Sequence, residues 1–92
     1  MSQTVCCVDI GSSKILAVAF SRQGSELKVL GYGAGPARGV ERGLVTDVDR
    51  LAGALDYALQ RLERETGERY QDISLNICGR HLTCSSSQGF VK

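Results

Sequence analysis

Apolar residues fill two short runs near the start of the chain, Val5 to Ile10 and Ile15 to Phe20, interrupted only by Asp9 and separated by Gly11-Ser12-Ser13-Lys14. Both runs are rich in β-branched and small buried types, which predicts two strands pairing antiparallel across that turn. A turn over Ser21 to Ser25, with Gly24 inside it, leads into Glu26 to Gly31, the start of a third strand. The expected beginning is a three-strand antiparallel meander. The next stretch, GYGAGPARGVERGLVTD, holds most of the remaining glycines and the single proline. It predicts irregular backbone from about Gly33 to Val45, and a loop of that length in a small domain generally has a function.

Periodicity then changes from two to between three and four. Val48, Leu51, Ala52, Leu55, Ala58, Leu59 and Leu62 recur at helical intervals, with Arg50, Asp56, Gln60, Arg61, Glu63 and Arg64 mainly on the other side. This predicts one amphipathic helix over 48–66, N-capped by Thr46 or Asp47 and stopped by Gly67. Its apolar face needs the sheet as a partner. Asp72 to Gly79 reads as a strand, because Ile73, Leu75 and Ile77 alternate with Ser74, Asn76 and Cys78. A strand, a long helix and a strand in succession favour a parallel crossover, so this fourth strand is expected beside the first and parallel to it. The tail from Arg80 could begin another strand, through Leu82 and Cys84. The edge beside 72–79 is nevertheless expected to lack its next strand, so that the chain self-associates by strand addition or by exchange of residues 80–92 about Gly79.

The totals narrow the classes. The chain has 92 residues, 11 basic and 10 acidic, for a net charge of +1, and only 5% aromatics. A domain of this size has a thin core, and nothing in its charge or aromatic content points to nucleic acid. The N-terminus lacks a basic segment followed by an apolar core. No run approaches the roughly 18 apolar residues of a membrane span, so a cytoplasmic location is expected.

The chemistry concentrates at the first turn. Gly11 lets a backbone approach an anion, Ser12 and Ser13 add hydroxyls to successive turn amides, and Lys14 adds a cation at the rim. Asp9, at the strand end, cannot favour bare phosphate but can hold the magnesium that accompanies a nucleotide, directly or through water. The same residues also make an ordinary hairpin turn. Four cysteines occur, Cys6, Cys7, Cys78 and Cys84. Cys6 and Cys7 are adjacent in a strand and so point to opposite faces, and buried free thiols are expected rather than disulfides. Cys78, His81 and Cys84 have C-x2-H-x2-C spacing, which suits zinc, but a fourth ligand is missing unless Cys6 or Cys7 supplies it. Packed thiols and a turn histidine are the favoured reading.

Taken together, the meander, the crossover helix and the parallel fourth strand, with D-x-G-S-S-K at the first turn, resemble the N-terminal half-lobe of the actin-like ATPase fold. That fold is ribonuclease H-like and is shared by actin, Hsp70 chaperones and sugar kinases. Within it the segments VDIGSSKILAV, GYGAGPARGVERGLVTDVDRLAGALDYAL and ISLNICGRHLTCSSSQGFV resemble the FtsA family of bacterial cell-division proteins. Most specific is the pattern Arg38, Gly39, Val40, Glu41, Arg42, Gly43 followed by Val45 and Asp47. The last segment is similar to the family's S-G-K-H-I-S-C, with Cys78 in place of the serine.

The resemblance implies that residues 1–79 form an incomplete N-terminal subdomain and that 80–92 begin an inserted one. It implies a parent that binds ATP and magnesium between two lobes, polymerises, and links the FtsZ ring to the cytoplasmic face of the inner membrane at the division site. Asp9, Gly11, Ser12, Ser13 and Lys14 would be half of the nucleotide site, with magnesium held by Asp9 through water. The second phosphate loop, the adenosine pocket, the FtsZ-binding region and a membrane-binding C-terminal helix are not in these residues. The isolated chain is therefore expected to be inactive and to hold no cofactor. Rival implications are an actin-like pilus-assembly ATPase and a chaperone or sugar kinase of the same superfamily.

Overall fold

Alternation along the first run decides the architecture. Cys6, Val8 and Ile10 are buried while Cys7 and Asp9 are exposed, so the strand has one face in the core and one face open, as its period of two requires. The computed structural model describes residues 3–85, and the side chains of residues 4–79. In chain order the elements are β1 (Gln3–Ile10), β2 (Lys14–Gln23), β3 (Glu26–Pro36), β4 (Val40–Glu41), β5 (Leu44–Val45), α1 (Val48–Thr66), β6 (Asp72–Ile77) and β7 (Arg80–Ser85).

Five strands form one sheet in the order β3-β2-β1-β6-β7. β1 pairs antiparallel with β2, from Gln3 opposite Arg22 to Ile10 opposite Ile15, and parallel with β6, from Cys6 beside Ile73 to Ile10 beside Ile77. The meander, the crossover helix and the parallel fourth strand are therefore present as the sequence predicts, and the fold is the half-lobe of the actin-like class. α1 lies over one face of the sheet. Leu51, Leu55, Ala58 and Leu62 pack there with Cys6, Val8, Ile10, Ile15, Ala17, Ala19, Ile73 and Leu75 in a single buried cluster.

Local chemistry sets the bounds of α1. Asp47 has extended backbone and its carboxylate accepts the Arg50 N–H at 3.1 Å, so it is the N-cap, not Thr46. At the other end Gly67 has φ 75 and donates its N–H to the Glu63 carbonyl at 2.7 Å, the left-handed stop that glycine provides without strain. Just beyond, the Tyr70 hydroxyl donates to Thr66 Oγ1, and Thr66 Oγ1 donates to the Leu62 carbonyl. Tyr70 is buried and pinned by its hydroxyl to the last turn of the helix.

Three expectations are corrected. The irregular stretch is not irregular: β3 runs on to Pro36, and Val40 to Val45 form a hairpin around Arg42 and Gly43. Both turn residues have positive φ, as a two-residue type I′ turn demands. The sixth strand stops at Ile77, because Cys78 (φ 50) and Gly79 (φ 88) make a second turn of that kind. The edge expected to be open beside 72–79 is filled by β7, antiparallel to β6, so the outer strands of the sheet are β3 and β7.

The glycines of β3 explain the first correction. Opposite Ile15, Ala17 and Ala19, which all face α1, β3 places Gly35, Gly33 and Gly31. A Cβ there would meet Tyr57, the backbone of Ala58 and Leu62, and Thr66, respectively, at 2.5–2.8 Å. Their spacing of two marks a strand surface onto which a helix backbone is pressed, not a loop. Between Ala19 and Phe20 the register shifts by one, leaving Leu30 as a bulge that tucks against the core.

Candidate functional site

Parallel β1 and β6 end side by side, and in open α/β sheets the crevice beyond the carboxyl ends of such strands is the usual place for a ligand. The Cys78 N–H donates to the Ile10 carbonyl at 3.0 Å, which carries the ladder between the two strands to their ends. At this rim the structure places the five sequence-predicted residues together. Asp9 is the last β1 residue on the open face, exposed, with Leu16 opposite it on β2 and Asn76 beside it on β6. The turn follows directly.

Gly11 donates its N–H to the Lys14 carbonyl at 2.9 Å, so the loop proper is Ser12 and Ser13, both exposed. The Ser13 carbonyl accepts the Ala37 N–H at 3.0 Å, which ties the turn to the exit of β3 and fixes its orientation. Neither the Ser12 nor the Ser13 N–H has an acceptor among the described residues. Gly11 is not in the left-handed region, and a Cβ on it would meet only the Lys14 carbonyl oxygen, at 3.6 Å. The fold itself therefore does not demand glycine at this position, in contrast to Gly33. Lys14 pairs with Pro36 and, two residues before Leu16, shares the open face with Asp9.

Sequence reasoning missed Asn76. Its amide sits one strand from the Asp9 carboxylate, at the same level of the sheet, and is exposed. The parallel pairing needed to bring residues so distant in sequence together was predicted, so the register between β1 and β6 is the signal that could have found it. Below this pair the open face is a shallow groove of about 390 Å³ lined by Cys7, Leu16, Val18, Phe20 and Ser74 as well as Asp9 and Asn76. The groove is apolar except at the rim.

The zinc reading falls largely outside the described residues. Cys78 is half-buried at the β6–β7 turn, whereas the side chains of His81 and Cys84 lie outside the described residues. Among the described residues no three His, Cys, Asp or Glu side chains are placed to share a metal ion. Nor are all the thiols buried: Cys6 is, but Cys7 is exposed on the open face, because adjacent strand residues cannot both face the core.

A five-stranded sheet with a parallel β1–β6 pair, one crossover helix and a serine-rich turn at the strand ends defines a half-lobe of the actin-like superfamily. No family model matches the chain. Curated relatives do match it. The chain is 32% identical over 89 residues to the cell division protein FtsA of Neisseria meningitidis, covering 96% of the chain and 22% of the relative. It is 29% identical over 85 residues to FtsA of Pseudomonas aeruginosa (91% of the chain, 20% of the relative) and 26% over 84 residues to FtsA of Streptococcus pneumoniae (91% and 18%). The chain belongs to the FtsA family of cell-division proteins, and it spans about a fifth of the length of the relatives it matches. Among the described residues no helix is long and apolar enough to cross a membrane.

Proposed function

We propose that this segment supplies the first phosphate-binding turn of an ATP-binding cell-division protein. The observation that carries the reading is the pair of Ser12 and Ser13 N–H groups without acceptors, on a turn whose glycine the fold does not require, next to an exposed Asp9. Backbone amides in that arrangement suit phosphate oxygens, and Lys14 adds positive charge on the same side. Magnesium fits Asp9 through bound water, since the carboxylate is exposed and Asn76 offers a neutral oxygen beside it. Nucleotide would then act by favouring one lobe arrangement over another, to the extent that it binds the two with different affinity.

The family supports the wider role: polymerisation and linkage of the FtsZ ring to the cytoplasmic face of the inner membrane, through regions outside these residues. In the same reading residues 80–92 open an inserted subdomain, entered through β7. The relatives compared above all carry the FtsA name, so no observation favours the pilus-assembly, chaperone or sugar-kinase alternatives.

The test is a chimera in which this chain replaces the matching fifth of the Neisseria relative, titrated with magnesium ATP by calorimetry. Binding by the chimera, weakened about tenfold or more by Asp9→Ala, is the expected result. A chimera that binds no nucleotide, or an affinity indifferent to Asp9→Ala, would return the turn to a purely structural role. The 92-residue chain alone is expected to bind ATP no better than about millimolar, because a few amides without an adenine pocket supply little binding energy.

A further inference from the structure

Gly53 stands in the second turn of α1, exposed, with nothing within 4 Å of the position a Cβ would take. Glycine is the poorest helix-interior residue after proline, and here neither backbone angle nor crowding calls for it. Its effect is to lower the helix wall between Arg50 and Tyr57, where α1 faces the end of β3. The resulting groove of about 460 Å³ is lined by Pro36, Arg38, Arg50, Gly53, Ala54 and Tyr57. A second groove of about 370 Å³ continues the same seam between Tyr32, Gly33 and Ala34 on β3 and Arg61, Arg64 and Glu65 on α1. No β2 residue lines either one, so both lie on the outer side of the seam, along the edge of the sheet.

That edge is a binding surface in its own right. β3 is hydrogen-bonded to β2 alone among the described residues, so alternate residues turn their N–H and C=O groups outward. The seam beside it carries four guanidinium groups and one carboxylate, Glu65. None of these four arginines has a carboxylate partner among the described residues; Arg61 instead rests on the Tyr57 ring, 5.6 Å from its centroid, with Nη1 donating to the tyrosine hydroxyl at 3.2 Å. On the opposite side of β3, Val29 and Tyr32 are exposed.

We propose that the β3–α1 seam is a docking site for an extended, acidic segment of a partner protein, which adds to β3 as a further strand. Main-chain hydrogen bonds to the outward groups of β3 would hold it. Because side chains of a strand alternate between faces, one set would place carboxylates against Arg38, Arg50, Arg61 and Arg64, and the other would lay apolar groups beside Val29 and Tyr32. The chemistry selects a segment alternating acidic and aliphatic residues. Gly53 leaves room for the partner's side chain between Arg50 and Tyr57.

The experiment uses the 92-residue chain and a fluorescein-labelled peptide alternating glutamate and valine, with lysine–valine and serine–valine peptides as controls. The acidic peptide is expected to bind, with anisotropy falling as salt rises, and to slow amide exchange within residues 31–35. The double variant Arg50→Glu, Arg61→Glu should lose about tenfold or more in affinity. Gly53→Ala, which improves helix propensity and so keeps the chain folded, should still lose about threefold by filling the groove. Absence of binding, equal binding of the serine–valine or lysine–valine peptide, or indifference to both variants would overturn the proposal. So would new amide protection at β7 in place of β3, or preferential capture of the chain by phosphatidylserine vesicles with the same arginine dependence.

Discussion

Gly33 on β3 and Ala58 on α1 meet backbone to backbone: a Cβ on Gly33 would stand 2.5 Å from the Ala58 carbonyl oxygen and equally close to the Leu62 amide nitrogen. Neither obstacle is a side chain that can swing aside, so a methyl group must lift the helix from the sheet or bend the strand. Gly33→Ala is expected to destabilise the fold by about 1–3 kcal/mol or more, the range of core overpacking. A urea titration would show a lower midpoint with an unchanged slope. An unchanged midpoint would mean that the helix has slack over β3.

The same contact shows where the sequence was legible and where it was not. Leucines and alanines at helical spacing located α1 to the residue, because burying one face is the main requirement a helix makes of its sequence. The parallel pairing of β1 and β6 followed from the length of the crossover. The stretch through Gly31, Gly33 and Gly35 misled, because glycine marks flexible loops far more often than close helix contact, and only the partner backbone distinguishes the two. Cys78 in the left-handed region misled for a related reason: asparagine or glycine would have announced the turn, and cysteine does not. At the candidate site, Asp9 and the Gly11–Lys14 turn are contiguous and were readable, while Asn76 needed the strand register.

Leu55 tests the helix–sheet core from the other side. It is buried at 3% exposure amid the central cluster, and Leu55→Ala removes its methyl groups and leaves a cavity that neighbouring strands can only partly close. The expected cost is about 2–5 kcal/mol. Against the total stability of about 5–15 kcal/mol usual for folded domains, much of the chain could unfold at ambient temperature, visible as loss of the sigmoidal thermal transition. A cost near zero would place α1 elsewhere than over β2 and β3.

Gly53 makes the opposite prediction from Gly33. Since the space around it is open, Gly53→Ala should stabilise the chain by up to about 1 kcal/mol through helix propensity alone, raising the melting temperature by several degrees, about 4–8 °C per kcal/mol for a domain of this size. Destabilisation would show that something in the described fold occupies the groove.

The adjacent thiols of β1 make the most direct test of strand facing. Cys6 is fully buried and its thiol is pushed up from 9.0 to about 12, first by burial and then by the neighbouring Cys7 and Glu63. Cys7, on the open face, is exposed. At neutral pH iodoacetamide should therefore modify Cys7 while sparing Cys6 until the chain unfolds, a difference that tandem mass spectrometry resolves. A one-residue slip of β1 would reverse the pattern, since it moves every side chain to the other face. The shift also sets a pH window. Because the folded-state value is the raised one, the unfolded chain loses its Cys6 proton first as pH climbs above about 9, whereas the folded chain keeps it until about 12. Its contribution to stability is fully present below pH 9 and is lost as pH rises through that interval. The comparison is with Cys6→Ala, whose stability should decline less steeply between pH 9 and pH 12. Parallel declines in the two proteins would show that the Cys6 thiol ionises as readily in the folded chain as in the unfolded one.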